Sequence, residues 1–212
     1  MVVDCGGGTV DLTTRELLDG NKLSEITERK GYHCGSSFVD KAFLNFIGEI
    51  VGSSVIEQMK KNHCCQLQYI VQEFCKEQKF PFTGNKNDEE EPYKFDLDGI
   101  PVMKNYVKGE KRNLLEKTDW EIEIDFEQIK TMFDQVIEKI IDLIKEQLDQ
   151  NKKKCSAMFL VGGFSESKYL QARIKDKFKE IKITVPSHPV KSVLQGGNHE
   201  LLFSELTSFI YI

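Results

Sequence analysis

The opening run Val2-Val3-Asp4-Cys5-Gly6-Gly7-Gly8-Thr9-Val10-Asp11 constrains this chain more than any other stretch: an apolar strand, a triple-glycine turn and a second strand, with a carboxylate on each side. Glycines let a backbone approach a ligand closely, and successive N–H groups in such a turn form a nest for phosphate oxygens. Two carboxylates beside bound phosphates need a divalent cation or its waters between them, because bare anions repel. A tight hairpin with solvated aspartates is the alternative reading. A dinucleotide-binding loop is excluded, since G-x-G-x-x-G must open a helix and its third glycine would fall on Asp11, inside a strand. A Walker loop is excluded because no Gly-Lys-Ser/Thr follows.

A second glycine feature lies about 155 residues on. Phe159-Leu160-Val161-Gly162-Gly163-Phe164-Ser165-Glu166-Ser167 reads as a buried strand ending in two glycines at the start of a helix. Small residues there let a flat ring lie against the backbone; a plain strand-to-helix turn is the alternative.

Between and around these motifs the pattern is α/β. Thr9 to Leu17 and Lys22 to Lys30 read as two strands about the turn Asp19-Gly20-Asn21. Val39, Phe43, Phe46, Ile47 and Ile50 recur at helical spacing from Phe38 to Val51, with Gly52 as the stop. A second helical stretch runs from Ser54 to Lys79. Thr83 to Pro92, with the acidic run Asp88 to Glu91, reads as an exposed loop. Short strands follow at Tyr93 to Leu97 and at Trp120 to Phe126, where apolar and acidic residues alternate. A long helix is expected from Phe126 to Gln150, closed by Lys152 to Lys154 at the negative end of its dipole. The strand Ala157 to Val161, a helix from Ser167 to Lys179 and a strand from Ile181 to Val185 complete a β-Gly-Gly-α-β unit. The fold expected is α/β, a mixed five-stranded sheet with an initial meander and flanking helices.

Composition narrows the partners. With 29 Lys and Arg against 34 Asp and Glu, the net charge is −5, so no overall positive field exists to hold a nucleic acid or an anionic membrane. Twenty-one aromatic residues argue against a disordered chain. The longest apolar stretch, Ala157 to Phe164, is far short of the ~18 residues that span a bilayer. Six cysteines at this length, with no secretory leader, point to free thiols and a cytoplasmic location. His63-Cys64-Cys65 with Cys75 does not make a zinc site, because adjacent cysteines on a helix point in different directions and no second paired motif exists. His188, between Pro186 and Pro189, reads as an exposed loop residue.

The two glycine motifs, in this order, resemble those of the actin-like ATPase superfamily, and specifically of the seventy-kilodalton heat-shock chaperone family. Asp4 to Asp11 matches that family's D-x-G-G-G-T-x-D at every fixed position, and Val161 to Phe164 its V-G-G-[SF]. His33 to Asp40 is similar to the family's glycine turn, through Gly35, before the first helix of the second lobe. Pro189 to Gly197 is similar to its closing segment. Phe164 after the glycines, with no recognisable peptide-binding β-domain, suggests the divergent twelve-type subgroup.

The resemblance covers residues 1 to 197 and corresponds to the second lobe of the ATPase domain, leaving 198 to 212 as a divergent apolar tail. It implies ATP or ADP and Mg²⁺ as ligands. Gly6, Gly7, Gly8 and Thr9 would hold phosphates, with Gly35 on the phosphate-side turn. Asp4 and Asp11 would order water around Mg²⁺, and with Thr9 would be the catalytic group. Gly162, Gly163, Phe164, Glu73 and Lys76 would form the adenosine side. Glu77 stands where the family has arginine, and Val190 where it has aspartate. A start inside a central strand reads as a fragment lacking the first lobe and without turnover alone. The alternatives are an interaction or regulatory module that keeps the fold and binds client or regulatory proteins, and a fragment of a small-molecule kinase of the same superfamily.

Overall fold

The computed structural model describes residues 1–19, 22–28, 30–85, 91–150 and 154–190. The chain divides into two units, one of residues 1–37 with 136–212 and one of Phe38–Gln135.

The first unit is organised on β1 (Val2–Cys5). It pairs antiparallel with β2 (Val10–Thr13) on one side and parallel with β8 (Ala157–Val161) on the other. β5 (Lys30–Tyr32) extends the sheet beyond β2, and β9 (Lys182–Thr184) extends it beyond β8, giving the order β5-β2-β1-β8-β9. The sheet is therefore mixed, as expected from the sequence. The unbroken apolar run Met158-Phe159-Leu160-Val161 is buried because this strand has neighbours on both sides and cover on both faces. In β1 and β2 only alternate residues, Val3, Cys5, Val10 and Leu12, are buried, which leaves Asp4 and Asp11 on the more open face.

The helix α6 (Phe126–Asp149) enters this unit at Val136. Its buried stripe there is Val136, Ile137, Ile140, Ile141 and Ile144, the spacing that places side chains on one face. Gln147, fully buried, anchors its end by donating through Nε2 to Thr27 Oγ1 and to the Glu28 carbonyl. A short 3-10 turn (Gly163–Glu166) leads from β8 into α7 (Lys168–Lys177), whose first turn is capped by Ser167 Oγ accepting from the Leu170 N–H. Arg173 of α7 pairs with Glu138 of α6.

In the second unit, α1 (Ser37–Val51) buries Val39, Phe43, Ile47 and Val51. Phe43 is fully buried, stacked on Phe74 at 4.0 Å and edge-on to Phe95 at 5.6 Å. Such a ring contributes about 3–5 kcal/mol relative to alanine. Gly52 adopts φ +110°, a conformation that glycine reaches without strain, and separates α1 from α2 (Ser53–Asn62). α3 (Cys64–Phe74) continues into a π-helical turn, Cys75–Lys79. There Lys79, 7% exposed, pairs with Asp40 at 2.5 Å. α4 (Pro101–Tyr106), α5 (Gly109–Lys117) and an antiparallel ribbon of β6 (Tyr93–Asp96) with β7 (Glu121–Ile124) complete the unit.

Several boundaries differ from the sequence reading, each for a local reason. The strand expected from Thr9 to Leu17 breaks at Thr14, which is buried and whose carbonyl accepts the Ile26 N–H. Beyond it β3 (Arg15–Leu18) and β4 (Lys22–Glu25) form a separate two-stranded ribbon, so the meander reaches the main sheet only through β2 and β5. Gly20 and Asn21 of the expected turn lie outside the described residues. The helix expected from Ser54 to Lys79 is interrupted at His63, whose backbone leaves the helical region and whose Nε2 lies 3.0 Å from the Tyr106 hydroxyl. α4 and α5 have no counterpart in the sequence reading. Short, polar and weakly periodic, each has one buried residue, Met103 in α4 and Leu115 in α5. Asp88 to Glu90, Lys152, Lys153 and residues 191–212 also lie outside the described residues.

Candidate functional site

The registers of the first unit set four residues in one row across the sheet. Val161 on β8 faces Asp4 on β1, Asp4 faces Asp11 on β2, and Asp11 faces Gly31 on β5. Directly opposed residues share a face, with Cβ atoms about 4.5–5.5 Å apart. Two carboxylates are thus neighbours at the strand ends that lead into the glycine turn. Burial, reinforced by the facing charge of Asp11, holds the Asp4 carboxyl above its usual range. The Asp11 carboxylate accepts a hydrogen bond from Thr9 Oγ1 at 3.1 Å and lies directly over Gly31, where an added Cβ would stand 2.5 Å from Oδ1. Sequence reasoning passed over Gly31; the available signal was a glycine inside a strand, which marks a close approach.

The turn itself is a closed hairpin, with the Gly6 N–H donating to the Thr9 carbonyl at 2.9 Å. All three of its glycine carbonyls are occupied: Gly35 donates to Gly8 at 3.3 Å, Ser36 to Gly6 at 3.1 Å and Ser37 to Gly7 at 2.8 Å. These donors are consecutive residues of one turn, so Gly35 to Ser37 hold the glycine loop. Gly35 is required there, since a Cβ would meet the Gly7 and Gly6 carbonyl oxygens at 2.5 and 2.6 Å. Among the described residues, the N–H groups of Gly7 and Gly8 donate to no backbone carbonyl, and both glycines are exposed. Open space surrounds them, with nothing within 4 Å of an added Cβ at either. Gly6 is therefore the exception among the expected phosphate-holding residues, because its N–H is spent inside the hairpin.

The second glycine motif meets the end of β1. Gly162 has φ +84°, and an added Cβ would collide with Asp4 Oδ1 and with the Cys5 carbonyl oxygen, the latter at 2.5 Å. Its N–H donates to the Pro189 carbonyl at 3.1 Å, and Val190 lies over Gly163, with Cγ2 3.8 Å from an added Cβ. The beginning of the expected closing segment thus covers the glycine pair; residues 191–197 lie outside the described residues. Phe164 is buried, so it offers backbone and not an open ring. Behind the strand ends, Cys5 is buried and burial pushes its thiol up to about 12, against a hydrogen bond with Ser165. Cys5 is a packing residue with no ionised form at ordinary pH.

Asp4, Gly6 to Thr9, Asp11, Gly35, Gly162 and Gly163 consequently stand together at one end of one sheet. Glu73 and Lys76 stand in the second unit, on α3 and the π-helical turn. Lys76 is exposed and paired with Glu77 at 2.6 Å, the residue found where the family resemblance called for arginine. Among the described residues no three His, Cys, Asp or Glu side chains converge as a metal cage. Asp4 and Asp11 could share a cation only if water and the oxygens of a ligand filled most of its shell, the manner in which Mg²⁺ binds beside phosphates.

The family model described as Domain of unknown function (DUF8340) matches residues 1–186. The chain belongs to that family. Among curated proteins it is 27% identical to human Heat shock 70 kDa protein 12A over 211 residues, an alignment covering 93% of this chain and 31% of the relative. The mouse protein of the same name matches equally, and human Heat shock 70 kDa protein 12B is 26% identical over 209 residues. These relatives tie the chain to the twelve-type subgroup of the seventy-kilodalton heat-shock family. It spans about a third of their length. No helix among the described residues is long and apolar enough to cross a membrane.

Proposed function

We propose that this chain binds ATP or ADP with Mg²⁺ as the second lobe, residues 1–197, of an actin-like ATPase domain of the heat-shock type. The observation that supports this reading most is the Gly162 backbone lying against the Asp4 carboxylate, which joins two distant glycine motifs in one corner. The free N–H groups of Gly7 and Gly8 suit phosphate oxygens, and their open surroundings leave room for them. Asp4 and Asp11 would hold waters of the metal; the unfavourable proximity of two carboxylates is relieved when a cation lies between them. Thr9 fixes the Asp11 rotamer, and Gly35 fixes the loop. Gly162 and Gly163 would floor the adenosine.

The bound nucleotide supplies the phosphoryl group whose transfer to water is the chemistry of such a domain, and catalysis of that step depends on positioning and charge stabilisation from several sides. The Lys76–Glu77 pair and Val190 favour a second reading, a module that keeps the fold to engage client or regulatory proteins without turnover. Calorimetric titration separates the two. ATP should bind in Mg²⁺ and more weakly in EDTA, and Asp11→Ala should shrink that difference while leaving the melting temperature near that of the parent. Equal affinity in all four combinations of protein and medium, or no binding at all, rejects the nucleotide reading.

A further inference from the structure

We propose that the groove between α1 and the first turns of α6 is a docking site for a basic amphipathic helix of a partner protein. This groove lies wholly within the second unit, has a volume of about 420 Å³, and is independent of the nucleotide reading. Its apolar part is Ala42 and Phe46 of α1 with Met132 of α6; its charged lining is Glu49, Asp125 and Glu127, with no lysine or arginine.

The carboxylates differ in what holds them. Asp125 Oδ1 accepts the Gln128 N–H at 2.7 Å, and Asp125 and Glu127 lie at the positive end of a 24-residue helix, so both have a structural reason to be there. Glu49 has none. It sits in the last turn of α1, where the helix dipole disfavours an anion and where no basic residue is present. Lys111 donates to the carbonyls of Glu49 and Ile50 rather than to the carboxylate. Lys130, on the facing helix, pairs with Asp134. Elsewhere in this unit Glu57 pairs with Lys60, Asp98 with Lys104, Glu116 with Arg112, and Glu121 with Lys94.

A groove with an apolar floor, carboxylates on both walls and one of them set against its own helix is complementary to a cationic segment with apolar anchors. The α1 wall runs from Ala42 to Glu49 and the α6 wall from Asp125 to Gln135, about 10 and 15 Å at 1.5 Å per residue. That length takes two to three turns of helix, with leucine-like side chains toward Phe46 and Met132 and lysine or arginine toward Glu49 and Glu127.

The probe is a fluorescein-labelled 14-residue leucine–lysine amphipathic helix, titrated by anisotropy against the full chain. The groove variant Glu49→Gln/Glu127→Gln should weaken binding at least tenfold. The control Glu57→Gln/Glu123→Gln removes the same charge elsewhere on the unit and should change it less than twofold. Glu49→Gln alone should melt no lower than the parent, which separates loss of docking from loss of fold. Equal weakening by both double variants, undiminished binding of a scrambled peptide, preference for a single-stranded RNA homopolymer, or no peptide binding would each overturn the proposal.

Discussion

The meeting of the two glycine motifs at Gly162 can be tested by a single methyl group. Gly162→Ala places a Cβ into the Asp4 carboxylate and within 2.5 Å of the Cys5 carbonyl oxygen and 2.8 Å of its carbon. The carboxylate can rotate away, but the Cys5 backbone is the central strand, paired on both sides, and cannot. Two costs add. Holding a non-glycine residue at φ +84° costs about 1–2 kcal/mol, and overpacking against fixed backbone costs about 1–3 kcal/mol more. Their sum, about 2–5 kcal/mol, corresponds to a fall in melting temperature of about 4–20 °C for a chain of this size. Thermal denaturation followed by far-ultraviolet circular dichroism reads the midpoint, and Gly7→Ala is the internal control because nothing lies within 4 Å of its added methyl. If Gly162→Ala melts within about 2 °C of the parent, the backbone is not pressed against β1, and the one-corner site fails with it.

Two further outcomes follow from the same corner. Because the Asp4 carboxyl titrates above its usual value of 3.8 in the folded chain, its ionised form destabilises the fold; the cost is complete above the folded value and vanishes below the unfolded one. Asp4→Asn should therefore melt higher than the parent near pH 7, with the gap closing as the pH is lowered toward 4, while Mg²⁺-dependent ATP binding is lost; a constant gap across that range contradicts the assignment. The purified 212-residue chain should hydrolyse ATP no faster than background, because one lobe offers a phosphate nest and two carboxylates but no opposing wall to align water. Mg²⁺-dependent turnover at ordinary ATPase rates, abolished by Asp4→Asn, would show that the wall is supplied.

The sheet was legible because its strands carry strong local signals. Ala157 to Val161 reads as a buried strand from its unbroken apolar run, and the glycine runs read as turns. The long helix was legible from a stripe that repeats over six turns. What was not legible was set at a distance. Thr14 breaks its strand because of Ile26, His63 leaves the helix beside Tyr106, and α4 and α5 exist through tertiary burial of a few residues rather than through any period of their own.

The site divides in the same way. Residue chemistry alone named Asp4, Asp11 and the glycines, since a nest of N–H groups flanked by carboxylates is a local property of eight residues. Only the fold decided that Gly6 closes the hairpin while Gly7 and Gly8 keep open donors, that Gly31 makes room for Asp11, and that Lys76 is held by Glu77. The physical reason is that local spacing fixes which groups a turn can offer. Which of those groups remain free is fixed by partners brought from elsewhere in the chain, here Ser36 and Ser37 on the loop carbonyls and Gly162 against Asp4.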